Sequence, residues 1–208
     1  MKKIFKRIIS ITVLSLSLVS ILNLQIVKAD TLESKLLSEV DGPAVEEHIL
    51  PYDIGPGKWR NNINIYIPNP TNIKDIEIKS SIQVAITKWN EKLRQIGSPI
   101  RIYEVNSAAQ SNVTVNYIQY GIPVASGERY PASGPTYTSG KITVWISKFW
   151  GVDPDRRVPV MIHELGHVLG LDHTTGGQKS IMDAAIEYMS NPALSITAYD
   201  VNELNRLY

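Results

Sequence analysis

A chain of 208 residues, with 43% hydrophobic and 20% charged side chains, has the composition of one globular domain plus flanking sequence. Its 21 basic and 20 acidic residues nearly cancel, and outside the N-terminal 29 residues no basic stripe remains to bind nucleic acid or an anionic membrane. The absence of cysteine excludes disulfides, lipid attachment at a cysteine, and any thiolate ligand or nucleophile.

The chain opens with a basic segment, MKKIFKRI, followed by the apolar run IISITVLSLSLVSILNL and a small-residue cleavage pattern, Val27-x-Ala29. That is the layout of a secretory signal peptide over residues 1–29. The alternative is a membrane anchor, but a run of about 17 residues is slightly short for a bilayer crossing. Removing residues 1–29 takes away Lys2, Lys3, Lys6, Arg7 and Lys28 and no acid, leaving 16 basic against 20 acidic residues, a net charge of −4. Residues 30–56 are acidic and run into a Gly-Pro-Gly breaker, so they read as a pro-segment or loose N-terminal arm. His48, isolated within it, is expected to be solvated rather than a ligand.

Order begins near Trp59. Ile63, Ile65 and Ile67 alternate as in a strand, which Pro68 and Pro70 stop. From about Asp75 to Ile96 the period changes: Ile78, Ile82, Ala85, Ile86, Trp89, Leu93 and Ile96 form one apolar face of a long helix, with Gly97 just past its end. Residues 100–105, 112–120 and 141–147 read as three further strands. Residues 121–140, rich in Gly, Pro, Ser and Tyr, read as one long loop. A helix is expected to start between Pro154 and Pro159 and to carry the segment 163–173. Another closes the chain, with Thr197 and Asp200 at capping-box spacing and Val201, Leu204 and Tyr208 on one face. Strand, helix, strands, helix, helix predicts an α+β domain over residues 57–208 with one mixed sheet.

Three of the four histidines fall in HELGHVLGLDH, residues 163–173. Positions four apart share a helix face, so His163 and His167 can aim at one point. Gly170 accepts positive φ and can reverse the chain, which lets His173 return to the same point. Three neutral imidazoles suit one Zn²⁺ and leave its fourth position open, the arrangement of a catalytic zinc. Glu164, beside His163, can then serve as general base toward an activated water. The surrounding Leu165, Val168, Leu169 and Leu171 are simply the core face.

His163-Glu164-x-x-His167-x-x-Gly170-x-x-His173 resembles the long zinc signature of the metzincin metallopeptidases. Within that clan HELGHVLGLDHT, with Thr174 after the third histidine, is most similar to the matrixin group; astacin-type sequences are expected to have Glu there. The likeness extends in element order over about residues 57–208, with only the zinc motif highly specific. It implies a twisted mixed sheet, a long backing helix, an active-site helix and a C-terminal helix. Met182, in SIMDA, matches the methionine turn beneath the metal, with Met189 a weaker candidate.

The resemblance implies a secreted zinc endopeptidase acting on protein or peptide as a monomer, in a compact layout read as bacterial. Departures from the family pattern set further expectations. Matrixin latency uses a propeptide cysteine, which this chain lacks, so a carboxylate such as Asp41 in the arm is a candidate to block the site. The family's second, structural zinc uses loop histidines that are absent here, so one zinc is expected. Glu128 is the only acid in 121–140, so no strong calcium site is expected there. Asp183 stands where matrixins lead into a proline-containing turn, and 183–196 corresponds to the wall of the pocket for the residue after the cleaved bond. The strand at 141–147, or the loop before it, is a candidate edge for an extended substrate. Two other classes of function remain: a non-catalytic binding or adhesion module on the same fold, and a zinc hydrolase of cell-wall peptide amides.

Overall fold

A computed structural model describes residues 57–131, 135–174, 177–184, 186 and 190–208. The expected signal peptide, the arm with Asp41 and His48, and Met189 lie outside the described residues. Six strands are described: β1 (Lys58–Trp59), β2 (Ile63–Tyr66), β3 (Ile102–Val105), β4 (Val113–Ile118), β5 (Ala125–Pro131) and β6 (Thr136–Trp145). They form one sheet in the order β1-β6-β4-β2-β3, all parallel, with β5 added antiparallel to β6. The mixed sheet of the expected α+β domain is therefore present. Alternation along its inner strands follows from one-sided burial: Ile63 and Ile65 of β2 and Val113 and Val115 of β4 are buried, whereas the residues between them are not.

The long backing helix, α1 (Ile73–Gln95), starts two residues earlier than its apolar period indicates. Asn72 caps it, accepting from the amides of Lys74 at 2.9 Å and Asp75 at 3.1 Å, and the Asp75 carboxylate answers by accepting the Thr71 amide at 2.9 Å. Gly97 lies past its end with φ +69, as its position predicts. Ile78, Ile82, Ala85, Ile86, Trp89 and Leu93 are all buried. Full burial of each isoleucine or leucine contributes about 1.5–3 kcal/mol, and this face, rather than helix propensity, holds α1 to the sheet.

Three more helices follow: α2 (Ile146–Gly151), α3 (Pro154–Leu169) and α4 (Ala198–Leu207). Pro154 opens α3 at its first position, and Pro159 lies inside it. Trp89 of α1 donates its Nε1–H to the Ile162 carbonyl of α3 at 2.8 Å. The buried Arg157 ties α3 to α1 through Glu77 and to the end of α2 through the Trp150 and Val152 carbonyls. At α4 the capping box of Thr197 and Asp200 forms as its spacing predicts.

Two expectations are corrected. Residues 121–140 are not one loop: 125–131 form β5, and β6 begins at Thr136 rather than at residue 141. ASGERYP has no apolar alternation, so its strand character comes from pairing with β6, including Glu128 opposite Lys141 with their charged groups 3.2 Å apart. Beyond it, β6 ends at Trp145, and Ile146 and Ser147 enter α2 instead of extending the strand.

At Gly127 β5 passes close against α3. A Cβ there would lie 2.0 Å from the Glu164 carbonyl oxygen, a backbone atom that cannot move without moving the helix. Gly127→Ala is expected to destabilise the protein by about 1–3 kcal/mol, read as a lower urea midpoint; an unchanged midpoint would contradict this close approach.

Candidate metal centre

The site is built on the last turns of α3 and the segment that reverses after it. Gly170 has φ +116, and the Leu171 and Gly170 amides donate to the Gly166 and His167 carbonyls, each at 3.0 Å. This paired capping pattern needs a left-handed residue at Gly170, where a side chain would be strained. It turns the chain back so that His173 faces the helix it has just left.

The result is a triangle of imidazole nitrogens. Nε2 of His167 lies 3.1 Å from Nε2 of His163 and 3.1 Å from that of His173, and the His163–His173 separation is 3.2 Å. Three nitrogens bound tetrahedrally to zinc at about 2.0–2.1 Å would be separated by roughly 3.3 Å, so the donor set is close to what that ion requires. The other ring nitrogens support the same use. Nδ1 of His163 lies 2.8 Å from the Ile181 carbonyl, and Nδ1 of His167 lies 2.8 Å from the Leu171 carbonyl. Each contact is a hydrogen bond only if Nδ1 carries the proton, and that tautomer leaves Nε2 with a free lone pair. Burial, reinforced by the neighbouring imidazoles, lowers the pKa of His163 to about 3; burial is also the main cause that lowers His167 to about 4. Both are therefore neutral near pH 7, the form in which imidazole is a ligand. Among the described residues, His163, His167 and His173 are the one group of three or more such side chains that could hold a metal.

Glu164 is largely buried on the same helix, next to His163. Met182 is fully buried beneath the helix turn: a Cβ on Gly166 would lie 2.4 Å from its sulfur and 3.1 Å from the Trp89 ring. Glycine at 166 thus lets the methionine and Trp89 press against the helix backbone. The Met182 carbonyl accepts the Thr174 amide at 3.0 Å, so the methionine segment also braces the strand of chain that carries His173. Asp183 accepts the Ser180 amide at 3.4 Å, an interaction local to this turn. Of the segment 183–196, residues 185 and 187–189 lie outside the described residues. Of the two candidate substrate edges, the strand at 141–147 is ruled out, because β6 is paired on both sides by β4 and β5; the segment before it holds β5, the outer strand beside α3.

Several supporting roles around the site were not read from the sequence. Asp200, noted only for its capping role, also accepts the Ile181 amide at 3.1 Å and the Ser180 hydroxyl. It thereby ties the methionine segment to the start of α4; its pKa is raised, because burial outweighs the hydrogen bonds that stabilise its charge. Trp59 donates its Nε1–H to the Val168 carbonyl at 2.7 Å, and the Tyr208 hydroxyl donates to the Leu169 carbonyl at 2.6 Å. Arg129 of β5 reaches the same helix end. Apart from the 197/200 spacing, no local pattern marks these partners, since each acts across a long stretch of sequence.

Comparison with known proteins adds an independent line. The profile of the family described as Matrixin matches residues 58–208. Human stromelysin-3 is 22% identical over 184 residues, covering 81% of this chain and 35% of that protein. Human matrix metalloproteinase-26 is 25% identical over 172 residues, covering 74% of this chain and 62% of that protein. The chain thus spans roughly a third and somewhat under two thirds of the lengths of these relatives.

The lowered pKa values make a prediction for the metal-free chain. His163 and His167 gain protons in the unfolded state below about pH 6.5 but resist them in the folded state, so their contribution is intact above pH 6.5 and is lost as pH falls toward 4 and 3. Urea unfolding of the metal-free protein at pH 7.5, 6 and 5 is expected to show stability falling by up to about 1.4 kcal/mol per pH unit per histidine. Replacing His163 by Gln should flatten this dependence.

Proposed function

Because this chain belongs to the matrixin family, matched over residues 58–208, we propose that it is a secreted, zinc-dependent endopeptidase. In this reading His163, His167 and His173 hold one catalytic zinc, Glu164 is the general base, and Met182 supports the site from below. The observation that carries the proposal is the triangle of Nε2 atoms at 3.1–3.2 Å, with both helix histidines placed for the tautomer that turns a lone pair toward its centre. Zinc bound there would supply a Lewis acid that lowers the pKa of water in its open position to about 7 and polarises a peptide carbonyl.

The chain's own groups do the rest. Glu164 takes a proton from the attacking water and returns it to the leaving amine, so no covalent enzyme intermediate is needed. The outer edge of β5, which runs beside α3, offers backbone donors and acceptors to a substrate in extended conformation. That edge lies in the segment before residues 141–147, the second of the two candidate substrate edges. Secretion is supported by the basic-then-apolar segment with its cleavage pattern at residues 1–29, and among the described residues no helix is long and apolar enough to cross a membrane. The proposed organisation is a signal peptide over 1–29, a pro-segment or arm over 30–56, and the peptidase domain over 57–208.

The test compares wild type with Glu164→Ala on a denatured protein and on cell walls, with bound zinc measured in both. Protein cleavage by wild type is expected, falling about 10²–10⁴-fold in the variant while zinc stays stoichiometric. Stoichiometric zinc with no cleavage of either substrate would favour a binding module, and cleavage of cell walls alone would favour an amide hydrolase of that polymer.

A further inference from the structure

We propose that Arg129 is a positioning residue that clamps the third histidine's segment to the edge strand, so that integrity of the metal centre depends on β5. This rests on the zinc reading above. The observation is a guanidinium whose nitrogens all meet the return segment or its support. Nη2 pairs with the carboxylate of Asp172, the residue immediately before His173. Nη1 donates to the carbonyl of His167 at 2.9 Å, and Nε lies 3.1 Å from the Tyr137 hydroxyl on β6, with the guanidinium carbon 5.4 Å from that ring's centroid.

Strand geometry explains the placement of this residue. Side chains two apart share a face, so Ala125, Gly127 and Arg129 all face α3. At Gly127 there is no room even for a Cβ, whereas two residues on, a long side chain fits and reaches the last turn of the helix at the His167 carbonyl. Arg129 fills that space largely shielded from water, where its charge keeps more of its Coulombic effect than a surface ion pair. The fork also spans the reversal: one arm holds the backbone of the second histidine, the other holds the residue before the third. Gly170, the pivot between them, has a backbone that strains side chains but does not by itself fix where His173 ends. His173 is exposed, and among the described residues no carbonyl partner for its Nδ1 is seen, unlike those of His163 and His167. Its placement therefore relies on the ends of its segment: Thr174 on the Met182 carbonyl, and Asp172 on Arg129.

A supporting group of this kind, one layer away from the metal, typically changes metal affinity by about 10–100-fold. Arg129→Ala and Asp172→Asn in the full chain are each expected to weaken Zn²⁺ binding by that factor, measured by competition with a chromophoric chelator. The double variant should be no weaker than the weaker single, because both remove one link. Arg129→Lys should recover little, since an ammonium cannot reproduce the fork. With Co²⁺ in place of zinc, the visible absorption bands should change in intensity and position as the third imidazole is released. Proteolysis by the variants should be depressed at limiting zinc and restored by excess zinc. A merely structural role would instead lower the melting temperature of the metal-free protein and leave both zinc affinity and the cobalt bands unchanged. Affinity within twofold of wild type together with an unaltered cobalt spectrum overturns the proposal; if Arg129→Ala does not fold, Asp172→Asn decides it. Wild type that binds no zinc sinks this proposal and the metal reading together, whereas wild type that binds zinc but cleaves nothing sinks only the peptidase reading.

Discussion

The end of α3 is the constraint on which the rest depends. A helix leaves its last four carbonyls without partners inside it, and burying them unmet would cost about 1–3 kcal/mol each. Here all four are met. Gly166 and His167 accept from the reversing backbone, His167 accepts from Arg129 as well, Val168 accepts from Trp59, and Leu169 accepts from Tyr208. The donors come from the first strand, the edge strand and the last residue of the chain. Closing the helix end therefore gathers the extremities of the domain around the reversal that brings His173 to His163 and His167. The cation of Arg129 at this end also complements the negative end of the helix dipole.

Beneath the same helix a second layer fixes the ring orientations. The Ile181 carbonyl lies beside Nδ1 of His163, and the Ile181 amide is in turn held by Asp200 at the start of α4. Met182 fills the space left by Gly166, and Trp89 meets the helix at the same glycine and anchors it through the Ile162 carbonyl. A change in α4 would thus reach the imidazole through two hydrogen bonds and one packed turn. Burial that makes these histidines reluctant to take protons also makes them available as ligands, so one physical effect serves both the stability of the neutral site and its affinity for a cation.

Much of this was legible in the residues taken alone. The apolar period of α1, the alternation at Ile63 and Ile65, the Thr197–Asp200 box and the reversal at Gly170 are local rules, satisfied by neighbours within a few positions. The triad was legible for the same reason, because helix pitch and one glycine allow side chains ten residues apart to converge, although the final placement of His173 also depends on distant partners. β5 was not, because ASGERYP lacks an apolar alternation and becomes a strand only when β6 pairs with it. Its inward face is decided by the helix it passes, which tolerates no side chain at Gly127 and accommodates a long one at Arg129.

By itself, the sequence determined the element types, the helix ends and the identity of the converging imidazoles, since each follows from backbone periodicity and short-range hydrogen bonding. Only the tertiary structure decided which strand forms the open edge, what satisfies the carbonyls at the end of α3, and how Asp200 and Arg129 brace the two halves of the site. Those links join residues 20 to more than 100 positions apart, and their partners are chosen by packing in three dimensions, which no local pattern encodes.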